Sequence, residues 1–177
     1  RIVGLSTFAV ADEDVVVAEQ RGNVRRARDV ARLLHEKYHL SDERGVVADI
    51  ERLKSGEPLD YVIGWTLFLE ADIDLSLRPF IPRPETEYWT KKAIEELKTK
   101  SRKQPINILD MFSGSGCIGI AVLRAMPKSH VTFVEKNPRS IKQIQINIKK
   151  NGISKSRFRV IQSDIFEKVH GRFDAIL

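Results

Sequence analysis

The chain has 177 residues and a formal net charge of +6, and its mixture of 42% hydrophobic and 31% charged residues excludes a wholly disordered protein. No apolar run approaches the roughly 18 to 20 residues that span a bilayer, so we expect a soluble chain. The single cysteine excludes an internal disulfide and a zinc cluster built from cysteines.

The first part of the chain has helical periodicity. Apolar residues recur every three or four positions between Asn23 and Tyr38, and Ser41-Asp42-Glu43 can cap a second helix that ends near Gly56 and Pro58. The apolar stripe of this second helix would consist of Val46, Val47, Ile50 and Leu53. We therefore predict two or three small helices at the start of the chain.

A change of period follows. Apolar and polar residues alternate between Trp65 and Leu77, which predicts a β-hairpin that turns near Glu70 and Ala71. Three prolines then forbid regular structure until Pro84, which suits the first turn of a helix. The buried face of that helix is predicted as Trp89, Ala93, Ile94 and Leu97, and residues 98–104 as a polar loop.

The remaining residues alternate between strand-like and helical stretches. The predicted strands are Ile106–Leu109, Val131–Val134, Phe158–Ile161 and Phe173–Leu177, and the predicted helices are Cys117–Met126 and Pro138–Asn151. Alternation of this kind predicts an α/β fold with a parallel, doubly wound sheet.

A glycine-rich loop joins the first of these strands to its helix, between Asp110 and Gly119. Its spacing, Gly114-x-Gly116-x-x-Gly119, matches the dinucleotide fingerprint, and a purely structural glycine turn is the alternative. In open α/β sheets, ligands bind outside the carboxyl ends of the strands, where this loop would lie.

Carboxylates end three successive strands, and together they favour a particular ligand. Asp110 would repel a pyrophosphate but suits an ammonium group. Glu135 can accept bonds from ribose hydroxyls, and Asp164 can accept one from an adenine amino group. Each alone could be a loop cap, but the three together point to S-adenosylmethionine, which contains an amino acid, a ribose and an adenine but no phosphate.

Four stretches of the sequence carry a family resemblance: Gly56–Gly64, Phe80–Glu87, Asp110–Gly119 and Gln162–Phe166. In these stretches the chain resembles the HemK/PrmC family of peptide chain release factor glutamine N5-methyltransferases. The most specific one is Ile-Pro-Arg-Pro-Glu-Thr-Glu, because the glycine loop is shared by methyltransferases of many substrate classes. The resemblance covers roughly residues 45–177.

The resemblance implies an organisation and a site. It implies a small helical substrate-docking domain (1–64), a β-hairpin and Pro-rich connector (65–87), and the first half of a Rossmann-like class I methyltransferase sheet (88–177). Phe80 and Arg83 would face the substrate, and we expect no metal. S-adenosylmethionine would be held by Phe80, Thr86, Asp110, Ser113, Gly114, Ser115, Gly116, Glu135, Asp164 and Ile165.

The resemblance also implies a substrate, the glutamine of the Gly-Gly-Gln loop in class I release factors. The family's Asn-Pro-Pro-Tyr motif, which holds that glutamine, is expected just after Leu177, so we expect these 177 residues alone to be inactive. We expect a monomer in the cytoplasm, with the mitochondrial matrix as the alternative. The family usually has a small residue where this chain has Phe112, and we expect that ring to point into the sheet core.

Three other functions remain open. Residues 136–177 carry 10 basic and 3 acidic residues, which suits either a solvated helix face or an anionic partner. An amino-group methyltransferase that acts on nucleic acid would use that charge, although the connector motif disfavours it. A nicotinamide-dependent dehydrogenase would conflict with Asp110, and a non-catalytic S-adenosylmethionine-binding fragment is the third alternative.

Overall fold

The computed structural model describes residues 24–39, 45–101 and 104–177. The chain divides into two compact units, residues 1–63 and residues 64–177. The predicted cap at Ser41-Asp42-Glu43 lies outside the described residues. Within the described ranges, every helix is too short or too polar to cross a bilayer.

The first unit contains three helices, α1 (Val24–Glu36), α2 (Val46–Lys54) and α3 (Leu59–Ile63), in agreement with the sequence prediction. Val47 was predicted to be buried and is 73% exposed instead. The reason is that Val46 and Ile50 already define the narrow buried face of α2, and Val47 lies about 100° around the helix from Val46. The apolar core of this unit contains Leu33, Val46, Ile50, Leu59, Val62 and Ile63.

A buried carboxylate, Asp49, also lies on this face of α2 and is only 5% exposed. It accepts hydrogen bonds from the Nζ of Lys37, from the hydroxyl of Tyr38 at 2.7 Å and from the Nη1 of Arg52 at 2.8 Å. Burial by itself would raise the pKa of Asp49, but these three donors outweigh burial and the pKa lies below its usual value. The helical unit therefore has an ionic centre beside its apolar core.

The second unit begins with the predicted β-hairpin, formed by β1 (Trp65–Phe68) and β2 (Ala71–Asp74). The strands pair antiparallel, with Phe68 opposite Ala71. The helix α4 (Pro84–Lys100) follows with its proline in the first turn, as predicted. The carboxylate of Glu87 in α4 accepts a hydrogen bond from the backbone N–H of Leu69 in the hairpin turn.

The helix α4 differs from its prediction in two respects. Trp89 is 40% exposed, whereas Thr90 is fully buried. The Thr90 hydroxyl donates to the Thr86 carbonyl at 2.7 Å, so it can be buried without an unsatisfied hydrogen-bond donor. The helix also continues to Lys100, where a loop had been predicted. Exposed ion pairs such as Lys100 with Glu96 support this polar last turn.

The rest of this unit consists, in chain order, of β3 (Asn107–Met111), α5 (Cys117–Ala125), β4 (His130–Glu135), α6 (Pro138–Lys150), β5 (Phe158–Gln162) and β6 (Ala175–Ile176). The four strands form a parallel sheet in the order β5-β4-β3-β6, which confirms the predicted α/β fold class. The last strand is shorter than predicted, because only Ala175 and Ile176 pair with the neighbouring β3.

The register of the sheet positions the candidate site. Met111 lies opposite Val134, and Glu135 lies opposite Gln162, so β3, β4 and β5 end at the same edge. The fully buried Phe133 and Ile108 occupy the interior of the sheet. The loops that follow these three strands therefore meet at one edge, where the sequence placed its three carboxylates.

Candidate cofactor site

The glycine loop connects β3 to α5 through three residues with left-handed backbone. Phe112, Gly114 and Gly116 have φ angles of 55°, 54° and 80°. Gly116 is the N-cap of α5, and its N–H donates to the Ser113 carbonyl at 2.6 Å. These turns let the chain pass from strand to helix within a few residues.

Asp110 lies beneath the first turn of α5, with no part of its side chain exposed. Its Oδ2 accepts a hydrogen bond from the Gly119 N–H at 3.0 Å, and its Oδ1 has no hydrogen-bond partner within the described part of the chain. From the sequence, this carboxylate was predicted to point into the ligand-binding space. The structure instead buries it completely, so its Oδ1 is not exposed to solvent.

The surroundings of Asp110 change its acidity. Burial raises the pKa of Asp110 to about 7, the Gly119 N–H opposes that shift, and the negative charge of Glu135 adds to it. Close to neutral pH the carboxyl is therefore divided between its protonated and ionised forms. A cationic donor at Oδ1 would satisfy the unpaired oxygen and favour the ionised form, which fits an ammonium group and not a phosphate.

Glu135 is bonded to the glycine loop. Its Oε2 accepts from the Gly114 N–H at 3.0 Å, and its Oε1 accepts from the N–H groups of Lys136 and Asn137 at 2.8 and 2.9 Å. A carboxylate has about four acceptor positions, so three bonds leave room for about one more. The structure thus brings Glu135 and Gly114 together, as a shared ligand site requires.

Ser113 forms its hydrogen bonds with the backbone of β3 and β4. Its hydroxyl donates to the Asp110 carbonyl at 2.7 Å and accepts from the Val134 N–H at 3.0 Å. Its own N–H donates to the Val134 carbonyl at 3.1 Å. Ser115 is also buried, and its carbonyl accepts from the side-chain amide of Asn147 at 2.9 Å. Much of the predicted loop is therefore held in place by the protein itself.

Asp164 follows β5 and lies at the same edge as Glu135. The Ser163 N–H donates to the Glu135 carbonyl at 3.1 Å, which joins the ends of β4 and β5. The carboxylate of Asp164 pairs with the Nζ of Lys136, and its side chain is 44% exposed. Ile165 has a left-handed φ of 45° and is about half exposed. Both residues can be reached from solvent.

Phe112 does not point into the sheet core, and the expectation that it does is wrong. Its side chain is 71% exposed, and its φ of 55° lies in the region that favours glycine. The reason is that the chain leaves β3 at Met111, so the alternation of the strand no longer directs the next side chain. The ring therefore faces solvent at the turn of the loop.

The three predicted residues of the connector lie before and at the start of α4. The guanidinium of Arg83 lies 4.9 Å from the ring centre of Phe80, and both side chains are exposed. Thr86 is half-buried, and its carbonyl accepts from Thr90. The structure joins Phe80 to Arg83, and the position of all three beside a cofactor stays a prediction.

Two polar residues of α6, Gln143 and Asn147, were not predicted from the sequence. Both are fully buried, although both are polar. A signal was available, because they are spaced by four positions beside Ile144 and Ile148, on the face of the helix that packs inward. Polar residues in an apolar stripe indicate buried hydrogen-bond partners.

Comparisons with known proteins agree with this geometry. Residues 90–177 match the family model of the methyltransferase small domain. The chain is 35% identical over 133 residues to a release factor glutamine methyltransferase of Agrobacterium fabrum, covering 75% of this chain and 46% of that protein. It is 29% identical over 184 residues to a ribosomal protein uL3 glutamine methyltransferase of Francisella tularensis, covering 98% of this chain and 55% of that protein.

Among solved structures, Trm5b of Pyrococcus abyssi aligns with a TM-score of 0.52 at 20% identity, over 64% of this chain and 32% of that one, which supports the fold alone. The chain spans about half the length of the curated relatives it matches. Residues 90–177 therefore belong to the methyltransferase small domain family, and the chain is similar to the release factor glutamine methyltransferases over most of its length.

Proposed function

We propose that this chain is the cofactor-binding part of an S-adenosylmethionine-dependent methyltransferase that modifies the side-chain amide of a glutamine in a class I release factor. The observation that carries the proposal is the unpaired, buried Oδ1 of Asp110 at the start of the glycine loop, at the same sheet edge as Glu135 and Asp164. The names of the relatives support the reaction class.

Each part of the cofactor has a candidate partner. Asp110 accepts a bond from the methionine ammonium at Oδ1, which requires that this buried oxygen become accessible. Glu135 uses its remaining acceptor position for a ribose hydroxyl, and Asp164 with the main chain of Ile165 receives the adenine. The backbone from Ser113 to Gly116 lies against the cofactor, and Thr86 lies at its entrance. When bound, S-adenosylmethionine supplies an electrophilic methyl group on a sulfonium.

The three carboxylates also argue against a dinucleotide. A pyrophosphate at this edge would meet the negative charges of Glu135 and Asp164, and it would keep Asp110 protonated. S-adenosylmethionine carries a positive sulfonium and an ammonium, so the same charges attract it. Electrostatics therefore favours the methyl donor over a nicotinamide cofactor.

The glutamine substrate demands positioning, because the lone pair of an amide nitrogen is delocalised into its carbonyl and makes a weak nucleophile. Catalysis of this transfer depends on aligning the nitrogen with the methyl carbon. In this chain, the exposed pair of Phe80 and Arg83 offers an apolar face and a cation to the approaching substrate. Residues 23–60 of the helical unit are proposed to dock the release factor.

The test uses the complete protein that contains this chain and S-adenosylmethionine with a tritiated methyl group. We expect label on a class I release factor, and no label on a factor whose Gly-Gly-Gln glutamine is changed to alanine. Calorimetry should show binding of S-adenosylmethionine and none of NAD. Label on RNA or DNA in place of the factor would refute the proposed substrate, and absence of S-adenosylmethionine binding would refute the whole proposal.

A second protein substrate follows from one observation. The relative named for ribosomal protein uL3 aligns with 98% of this chain, whereas the first release factor relative aligns with 75%. A parallel reaction with uL3 therefore belongs in the same assay, and preferential labelling of uL3 would replace the release factor in the proposal.

We also propose that the enzyme is a monomer in the cytoplasm or the mitochondrial matrix. Light scattering tests the first point and microscopy of the tagged protein tests the second.

A further inference from the structure

Three side-chain amides project from α6 and its C-cap towards the hairpin. They belong to Gln143, Asn147 and Asn151, which are spaced by four residues and so share one helix face. All three bond to the backbone of the chain around β2, on the edge that β1 does not cover. We name these three residues the amide row.

The amide row contacts β2 in an ordered way. Asn151 accepts from the Asp72 N–H at 3.1 Å and donates to the Asp72 carbonyl at 2.7 Å. Asn147 accepts from the Asp74 N–H at 2.8 Å and donates to the Asp74 carbonyl at 3.4 Å. Gln143 donates to the same carbonyl at 2.8 Å and accepts from the Leu77 N–H at 3.0 Å. The row thus bonds the edge of β2 as a third strand would.

The spacing of the two elements explains why this works. Four residues of an α-helix rise about 6 Å, and two residues of an antiparallel strand advance about 6.8 Å. Side chains four residues apart on the helix can therefore reach strand residues that are two positions apart. The bonded residues, Asp72 and Asp74, are those whose N–H and carbonyl point away from β1. Meanwhile Ala71 and Ile73 bury their side chains completely.

Asn147 differs from the other two members of the row, because its Nδ2 also donates to the Ser115 carbonyl at 2.9 Å. Ser115 lies in the glycine loop, 32 residues away in the chain. The side chain of Asn147 is fully buried, so water cannot replace either partner. One amide therefore joins the hairpin to the loop that we propose receives the cofactor.

We propose that Asn147 is a positioning residue that couples the hairpin to the glycine loop. The hairpin runs directly into the connector that carries Phe80 and Arg83, and the loop begins beside Asp110. A shift of either segment must break a buried bond of Asn147. One side chain therefore fixes the position of the connector relative to the glycine loop, although it does not itself touch the reacting atoms.

The test compares Asn147→Leu with Asn151→Leu, which removes a less buried amide that bonds the hairpin but not the loop. Hydrogen exchange of the complete protein is measured on peptides from the hairpin (65–74) and the loop (112–119). We expect Asn147→Leu to accelerate exchange in both peptides by about tenfold, as for the loss of one buried hydrogen bond, and Asn151→Leu to affect the hairpin alone. Unchanged exchange of the loop in Asn147→Leu would overturn the proposal, as would equal effects of the two variants on the loop.

A second variant covers the case in which Asn147→Leu fails to fold. Asn147→Asp loses the donor to the Ser115 carbonyl at 2.9 Å and the longer bond to the Asp74 carbonyl at 3.4 Å, but it keeps an acceptor for the Asp74 N–H. The loop then loses its bond to residue 147 while the hairpin keeps one, so the variant should release the loop more than the hairpin. Faster exchange in the hairpin alone would count against the coupling.

Calorimetry adds a readout that rests on the proposed function. We expect Asn147→Leu to raise the Kd for S-adenosylmethionine about tenfold. Asn151→Leu should leave this Kd within about twofold of the wild-type value. If the wild-type protein binds no S-adenosylmethionine, the proposed function fails while the exchange result still decides the coupling. Equal weakening by both variants would show that Asn147 acts through general stability and not through the loop.

Discussion

The Oδ2 of Asp110 accepts a hydrogen bond from the N–H of Gly119 at 3.0 Å, and this bond fastens the end of β3 to the first turns of α5. It requires close approach, because a Cβ at position 119 would lie 2.8 Å from that oxygen and 2.4 Å from Cε1 of Phe133. Both neighbours are fully buried. The third glycine of the fingerprint therefore serves helix-to-sheet packing, and it leaves room for the Asp110 carboxylate beside α5.

Gly119→Ala should destabilise the protein through this steric conflict. We expect the free energy of unfolding to fall by about 3 kcal/mol, as for overpacking of a rigid core. Gly152→Ala is the control, because Gly152 has a left-handed φ of 64° and open space around its Cβ position. Its cost of about 1 kcal/mol should come from the backbone alone. Urea denaturation measures both, and an equal loss in the two variants would contradict the packing explanation.

Asp110→Asn should change how stability depends on pH. The folded pKa of about 7 lies above the ordinary value of 3.8, so the protonated carboxyl stabilises the fold. This contribution is complete below about pH 4 and is lost as the pH rises towards about 7. The asparagine variant lacks this loss, so it should gain stability relative to the wild type over that range. A constant difference between the two proteins would show that Asp110 does not titrate there.

The same carboxyl should make cofactor binding depend on pH. If the methionine ammonium binds Asp110, binding favours the ionised form, and the affinity should rise between about pH 5 and about pH 8. Calorimetry in buffers of different ionisation enthalpy should detect the proton that is released. Asp110→Asn should bind more weakly and with little dependence on pH. A pH-independent Kd in the wild type would place the ammonium elsewhere.

Phe112→Gly should leave the protein as stable as before or more stable. The left-handed backbone costs a side-chain-bearing residue about 1 to 2 kcal/mol, and the added freedom of an unfolded glycine offsets about 0.5 to 1 kcal/mol of that. The exposed ring contributes little burial. Phe112→Ala keeps the backbone cost and should show no gain. Thermal unfolding compares the variants, and a clear loss in Phe112→Gly would mean that the ring packs against the protein.

Asp49→Asn should weaken the helical unit and spare the sheet. It removes the negative charge that Lys37 and Arg52 share, and we expect the free energy of unfolding to fall by about 2 kcal/mol. This value is smaller than that for a fully buried ion pair because both cations are partly exposed. The lowered pKa of Asp49 means that its contribution is present above about pH 4 and lost as the pH falls further.

Hydrogen exchange resolved by peptide checks this prediction for Asp49. Exchange should accelerate in residues 24–63 and stay unchanged in residues 104–177. Glu51→Gln, on the exposed face of the same helix, is the control, because its pair with Lys54 is exposed to solvent and should contribute little. If the sheet is equally affected, the ionic centre is not local to the helical unit.

Local patterns explain why the sequence predicted the order of the elements. The alternation around Ile73, the proline at the start of α4 and the glycines after β3 act over a few residues, so they can be recognised without the fold. The same applies to the carboxylates, because residues at or beside the carboxyl end of a parallel strand lie at the carboxyl edge of the sheet. The sequence alone therefore identifies Asp110 and Glu135 as neighbours.

Errors arose where the sequence pattern left more than one direction open to a side chain. Val47 fits the helical period of α2, yet the tertiary fold buries Asp49 and leaves Val47 exposed. Phe112 follows a strand, but the left-handed turn directs its ring to solvent. In both cases a local pattern specified a set of allowed directions, and packing selected one of them.

The sequence by itself determined the α/β class, the hairpin, the glycine loop and the carboxylates at the strand ends, because hydrophobic period, glycine and proline act locally. Only the tertiary structure decided that Asp110 is covered and that Asn147 joins Ser115 to Asp74. These relations connect segments up to 73 residues apart. They form when burial removes water from polar groups and leaves a protein partner as the favourable alternative.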